Sequence, residues 1–215
     1  MKQEVLVKRK EADRQGRIET ILQAARKIFL QKGYWGTTMR DISREAELST
    51  GAIYFYFKSK DEIYGRICED IMRLTVNLLK GSRQSTGTMR EKLFAVMKAY
   101  VGFYVNYNED FDLLDTAYKQ IELPEHIGQR IDLLVKEALS YVNEIFTRAV
   151  NDGELTAGTD TWKLTMGVWA AIEGILYIHK RKFLAEININ LDDIVLDQMN
   201  IFESGIKTEY GPRRE

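Results

Sequence analysis

The side chains best suited to chemistry lie close together, between Thr38 and Lys60. Thr38, Ser49 and Thr50 bring hydroxyls, and Arg40 and Lys60 bring cations. Tyr54, Phe55 and Tyr56 put three aromatic rings in a row, while Gly51 and Ala52 leave the backbone nearly bare. This set holds no nucleophile paired with a base. It is a collection of donors, and donors gathered around a helix start suit a phosphate. Elsewhere reactive groups are scarce. One cysteine, Cys68, excludes a disulfide framework within the chain and any multi-cysteine metal site. Two histidines, His126 and His179, leave little for a zinc site or a histidine-based triad. No glycine-rich loop cradles a phosphate. An enzyme is therefore not expected, nor a catalytic residue, cofactor or metal. Cys68 reads as a core thiol.

The elements that hold the donors follow from periodicity. Ile18, Ile21, Leu22, Ala25, Ile28 and Phe29 form one stripe at helical spacing, predicting a helix over 17–32 that Gly33 stops. Thr38 with Asp41 three residues on is a capping box opening a short helix to about Ala46. Glu47-Leu48 makes a turn. Ser49 caps a helix from Thr50 to about Phe57, with Ile53 and Phe57 on its inner face. Ser59 to Glu62 starts a long fourth helix to about Leu79. Two short helices joined by a turn of a few residues have the spacing of a helix-turn-helix, whose second helix enters the DNA major groove. Charge points the same way. Residues 1–60 carry 13 Lys and Arg against 7 Asp and Glu, whereas residues 61–215 carry 18 against 25. A basic head on an acidic body suits a polyanion at the head alone.

Two segments are more specific. Gly33-Tyr34-Trp35-Gly36-Thr37-Thr38-Met39-Arg40-Asp41-Ile42-Ser43 and Ser49-Thr50-Gly51-Ala52-Ile53-Tyr54-Phe55-Tyr56-Phe57-Lys58-Ser59-Lys60-Asp61-Glu62 resemble the TetR family of transcriptional regulators, in the same order and at the same distance. The likeness covers about residues 15–65. It implies DNA contacts from Thr38, Arg40, Ser49, Thr50, Gly51, Ala52, Tyr54, Phe55, Tyr56 and Lys60. Two positions depart from the family habit, which often has tyrosine for Phe55 and histidine for Tyr56. Phe55 donates no hydrogen bond, so it either touches the sugar–phosphate backbone by van der Waals contact or packs inward.

The rest of the chain reads as helical, giving an all-α fold: a three-helix helix-turn-helix head over residues 1–62, with a flexible tail at 1–14, and a helical effector-binding and dimerisation body over 63–215. Gly81 to Gly87 marks a loop, and 211–215 a frayed end. Helices about 160–181 and 191–208 carry more apolar surface than a monomer needs to cover, predicting a four-helix pairing with a second copy. The resemblance implies the same homodimer. Met97, Tyr100, Tyr104, Tyr118, Tyr141, Trp169 and Tyr177 could be core or could line an effector pocket. Glu173, one turn from Trp169 and from Tyr177 on an apolar helix, needs a partner: an arginine, a hydroxyl or a ligand donor. The expected function is a regulator, a repressor above an activator, that binds a near-palindromic operator and is released by a small apolar or aromatic effector. An effector-independent DNA-binding protein is the alternative, and an enzyme in the body a weaker one. No apolar run reaches the roughly 18 residues of a membrane span, and no signal-peptide core opens the chain, so no membrane partner and a cytoplasmic location are expected.

Overall fold

The computed structural model describes residues 2–82 and 87–211, so most of the expected 81–87 loop and nearly all of the 211–215 end lie outside the described residues. All regular elements among them are helices: α1 (Lys2–Gly36), α2 (Met39–Glu45), α3 (Thr50–Tyr56), α4 (Lys60–Ser82), α5 (Met89–Asn106), α6 (Asn108–Gln120), α7 (Glu125–Asn151), α8 (Thr161–Lys180), α9 (Phe183–Glu186) and α10 (Leu191–Tyr210). None is long and apolar enough to cross a membrane. The all-α expectation holds.

The chain packs as two units, Met1–Met72 with Glu109–Asp132, and Arg73–Asn108 with Leu133–Glu215. The sequence places a division at residue 62, whereas packing groups α6 and the first two turns of α7 with α1, α2 and α3.

In the first unit the predicted stripe is the core. Ile21, Ala25, Ile28 and Phe29 of α1 are buried with Ile42, Ile53, Phe57 and Ile63. Phe29, Tyr34 and Tyr64 meet there, with Tyr64 edge-on to the other two at 4.7 and 5.1 Å between ring centres. Gly33 has φ 69°, ψ 170°, so α1 breaks where the sequence places its stop. The helix starts far earlier than expected. The flexible tail over 1–14 is corrected to helix from Lys2. The physical reason is local: Lys, Glu, Gln, Ala and Arg favour helix, no proline interrupts them, and Glu11–Arg14 and Gln15–Glu19 pair along the exposed surface.

Four ties close this unit. The Tyr64 hydroxyl donates to the Leu113 carbonyl (2.9 Å), and Arg130 Nε donates to Glu69 (2.9 Å). Arg26 of α1 pairs with the buried Asp110 of α6. At Gly65 a Cβ would come within 2.5 Å of Ile127, so α4 and α7 touch where only glycine fits.

In the second unit side-chain bonds tie α7 to α8 and α5 to α10. Asn143 donates to Thr161 and Thr165, and Arg90 of α5 grips Glu203 (2.8 Å) and Asn200 (2.7 Å) of α10. One side of α8 is open. Trp162, Met166, Trp169 and Tyr177 repeat at helical spacing, each 38–47% exposed, with Ala170 and Gly174 also exposed. The reading of this helix as buried on several sides is thus met on one side only within the chain. Short α9, absent from the sequence reading, follows a left-handed Lys182 (φ 61°).

Candidate nucleic-acid interface

The turn between α2 and α3 is fixed by capping. Thr38 is extended, its hydroxyl accepts from the Asp41 amide (3.1 Å), and the Asp41 carboxylate accepts from the Thr38 amide (3.0 Å). The box foreseen in the sequence is present. Lys32 also donates to Asp41 (2.6 Å). That ammonium first, and the Thr38 donors next, hold the Asp41 carboxyl well below the usual carboxylate range. A depressed carboxyl stabilises the fold fully above its unfolded pKa near ~4, and the contribution fades as pH falls through the folded value. Asp41→Asn is therefore expected to lower the urea midpoint at pH 7 and to make the loss of stability between pH 4 and 2 shallower than in the parent chain.

Glu47, at φ 53°, turns the backbone between the two helices. Ser49 then caps α3 by accepting from the Ala52 amide (3.1 Å). The amides of Thr50 and Gly51 have no intrahelical acceptor, as at any helix start. At Gly51 a Cβ would meet only the Ser49 hydroxyl, at 4.0 Å, so the surface is open there. Thr50 lies 3.2 Å from the Ser43 hydroxyl, which steadies α3 against α2. Ile53 is fully buried and Phe57 nearly so, as the spacing requires. The opposite face carries Tyr54 (47% exposed) and Phe55 (74% exposed). Phe55 therefore does not pack inward. It stands edge-on to the half-buried Tyr56, ring centres 5.1 Å apart. Arg40 is exposed on α2.

Lys60 is the surprise. Its ammonium donates to the carbonyls of Tyr34 (2.9 Å) and Thr37 (3.1 Å) and lies 4.2 Å above the Tyr34 ring. Two of its three donors thus close the end of α1 onto the start of α2. Tyr34 is itself anchored by donating to Asp61. Burial first, then that hydrogen bond and the nearby charge, push its phenol up. Trp35, treated in the sequence only as part of a connection, is 72% exposed beside Tyr34. Its signal was an aromatic pair bracketed by Gly33 and Gly36, of which one ring must point in and the other out.

The expected effector residues are distributed over both units. Tyr118 belongs to the first unit and the others to the second. Glu173 has its partner within the chain: the Tyr100 hydroxyl donates to it, as does the Trp169 indole (3.3 Å). Tyr104 bonds His179 Nδ1 (2.8 Å), and Tyr141 donates to Glu137 (2.8 Å). Met97 and Tyr141 are buried, whereas Tyr177 is 47% exposed and its hydroxyl accepts from Arg181 (2.9 Å). His126 is exposed. Burial pushes the Cys68 thiol up to about 12, consistent with a core thiol. Among the described residues no cluster of His, Cys, Asp and Glu could hold a metal ion.

Residues 21–67 match the family model described as bacterial regulatory proteins, tetR family. The chain is 27% identical over 143 residues to the uncharacterized HTH-type transcriptional regulator YfiR of Bacillus subtilis, covering 62% of this chain and 65% of that one. It is 24% identical over 140 residues to the fatty acid metabolism regulator protein of the same organism, covering 65% and 71%. The chain thus spans about two thirds of the length of these curated relatives. In fold it is similar to the B. subtilis transcriptional regulator FadR solved with stearoyl-CoA: TM-score 0.68, 19% identity, covering 87% of this chain and 98% of that one. The capped turn, the outward aromatic face of α3 and the matched segment agree: residues 21–67 form a helix-turn-helix segment similar to that of the bacterial regulatory proteins of the tetR family.

Proposed function

We propose that this chain is a one-component transcription regulator, a repressor, that binds a near-palindromic duplex operator as a homodimer and is released by a small, largely apolar or aromatic effector. The observation that carries the reading is α3. Its inner face is fixed by Ile53 and Phe57, and its outer face offers Thr50, Gly51, Ala52, Tyr54, Phe55 and Tyr56 to a groove. In this reading Thr38, Ser49 and Lys60 set the height and angle of that helix, and Arg40 reaches a phosphate. The open apolar side of α8, with Leu196 and Ile201 of α10, supports pairing with a second copy. Two recognition helices about 34–36 Å apart then read successive turns of the major groove. An effector that favours the unbound form and the operator weaken each other by the same free energy. The stearoyl-CoA held by the FadR neighbour supports an effector with a substantial apolar part.

Selection from random duplexes should return one inverted repeat, and light scattering should give twice the chain mass. On that duplex Arg40→Ala should lower the slope of log affinity against log salt by about 0.9, one phosphate's worth of counterion. Tyr54→Phe, which removes a hydroxyl and no charge, should weaken binding and leave the slope unchanged. Binding with no sequence preference, or an Arg40→Ala slope equal to the parent's, overturns the reading.

A further inference from the structure

Helix α1 begins well before its core stripe, and residues 7–17 are exposed on every face. They precede residues 21–67, the segment that matches the family model. Their charges are not evenly spread. Lys10, Arg14 and Arg17 follow one another at i, i+4 and i+7, and the same row continues as Ile21 and Ile28, which are buried. One row of α1 thus changes from apolar to cationic at Arg17, where the core ends. Glu11, Asp13 and Glu19 fall on other rows. Arg14 meets Glu11 at 3.5 Å, an exposed pair of the kind that contributes little and that a stronger anion displaces. Two ion pairs give the direction of the helix. Lys32 pairs with Asp41 in the first turn of α2 (2.6 Å), and Lys27 pairs with Glu45 at its end. Followed backwards, α1 therefore runs from the start of α2 to its end. It then continues beyond the end of α2 from which the turn leads to Ser49 and Thr50, the amino end of α3.

We propose that the part of α1 ahead of its core stripe is a second DNA-binding element, which lays Lys10, Arg14 and Arg17 along the phosphates of the duplex flanking the half-site under α3. The spacing fits. From Lys10 to Arg17 the helix rises about 10 Å, a length over which one strand presents about three phosphates. The row carries three cations and no acid, so its partner is a polyanion with regular charges. The element is also preorganised. It is continuous with the helix packed on α2, so it keeps its direction relative to α3 and loses little freedom on binding. Such contacts carry no base preference. They lengthen the footprint and steepen the dependence on salt, while α3 alone chooses the sequence. The duplex lies at that end of the first unit on the regulator reading above, and the proposal rests on that reading for this placement alone.

Fluorescence anisotropy of the full chain, read against salt, tests this on three duplexes. One is the selected inverted repeat alone, the second adds about 10 base pairs, one helical turn, on each side, and the third is an unrelated duplex of the second one's length. The flanks are expected to raise the parent's affinity about tenfold and to steepen its salt slope by about 2.7 for each chain bound. The triple change Lys10→Gln, Arg14→Gln and Arg17→Gln should bind the bare repeat as the parent does and lose the gain from the flanks. Lys8→Gln with Arg9→Gln removes two cations from other rows and should keep more than half of it. Gly16→Pro keeps every charge and breaks the helix ahead of Arg17, so most of the gain should go. Gly16→Ala, at a position where a Cβ meets nothing within 4 Å, should keep it in full. A gain that survives in the triple variant or in Gly16→Pro, or that falls equally in Lys8→Gln with Arg9→Gln, overturns the proposal. So does a triple variant whose DNA-free mass by light scattering differs from the parent's, because the row then holds another chain. The unrelated duplex separates the two readings. Equal salt slopes for parent and triple variant on it overturn the proposal whatever the repeat shows. Different slopes on it, with no repeat ever selected, sink the regulator reading and leave the row standing.

Discussion

Arg26→Met should destabilise the chain by about 3–5 kcal/mol, measured as a fall in the urea midpoint. Asp110 is 5% exposed, and its Oδ1 has no hydrogen bond besides the ion pair with Arg26. Removing the guanidinium strands a carboxylate away from water. Removing the other partner is milder. The Arg26 side chain keeps 36% exposure, so in Asp110→Asn it turns to solvent and the amide loses only a charge-assisted bond. A loss of about 1–2 kcal/mol is expected there. The double change Arg26→Met with Asp110→Leu should recover most of the loss, because apolar packing of similar volume often equals a buried ion pair. The order of the three variants is the test. If Asp110→Asn costs as much as Arg26→Met, the carboxylate is not stranded and the pair acts through packing. Since the pair joins α1 to α6, Arg26→Met should also weaken duplex binding at temperatures where the chain is still folded, through a loosened α1.

Which of these features the sequence discloses depends on how far apart the partners lie along the chain. Caps are local, so Thr38 with Asp41 and Ser49 stand where the pattern puts them. The stripe of α1 and the Ile53–Phe57 face are likewise periodic within one helix and became core. The N-terminal extension of α1 was missed because its residues have no apolar stripe. Their helix rests on propensity and exposed pairs, which periodicity does not register. Short α9 escaped because it depends on the left-handed Lys182, a residue type that carries no turn signal. Pairs across elements were invisible for a different reason. Arg26 and Asp110 are 84 positions apart, and nothing in either neighbourhood names the other. Glu173 lies between the two cases. Its helix showed that it needed a partner, and only the fold could choose Tyr100.

Lys60 shows how a family resemblance can point to the right residue and leave its task open, and Lys60→Met separates the two tasks. Methionine keeps the stem and deletes the ammonium. Two carbonyls, of Tyr34 and Thr37, then lose a charged donor, and the Tyr34 ring loses the cation above it. Hydrogen bonds to charged groups are worth about 1.5–3 kcal/mol each, but the site is half-exposed and water replaces part of that. A loss of about 2–4 kcal/mol in unfolding free energy is expected. If Lys60 gripped only a phosphate, the chain would keep its stability and the salt slope of duplex binding would fall by about 0.9. If its work is to hold the end of α1 to the start of α2, stability falls, affinity falls with it, and the slope stays as in the parent. The second outcome is the expected one, because two of the three donors are already engaged within the chain. Lys60→Arg sharpens the distinction. A guanidinium carries the same charge to a phosphate, but its planar fork does not fit two carbonyls that converge on a point donor. It should keep the salt slope and recover less than half of the lost stability. Full recovery by arginine would show that the charge alone matters at this position, and that the two carbonyl bonds are incidental to it.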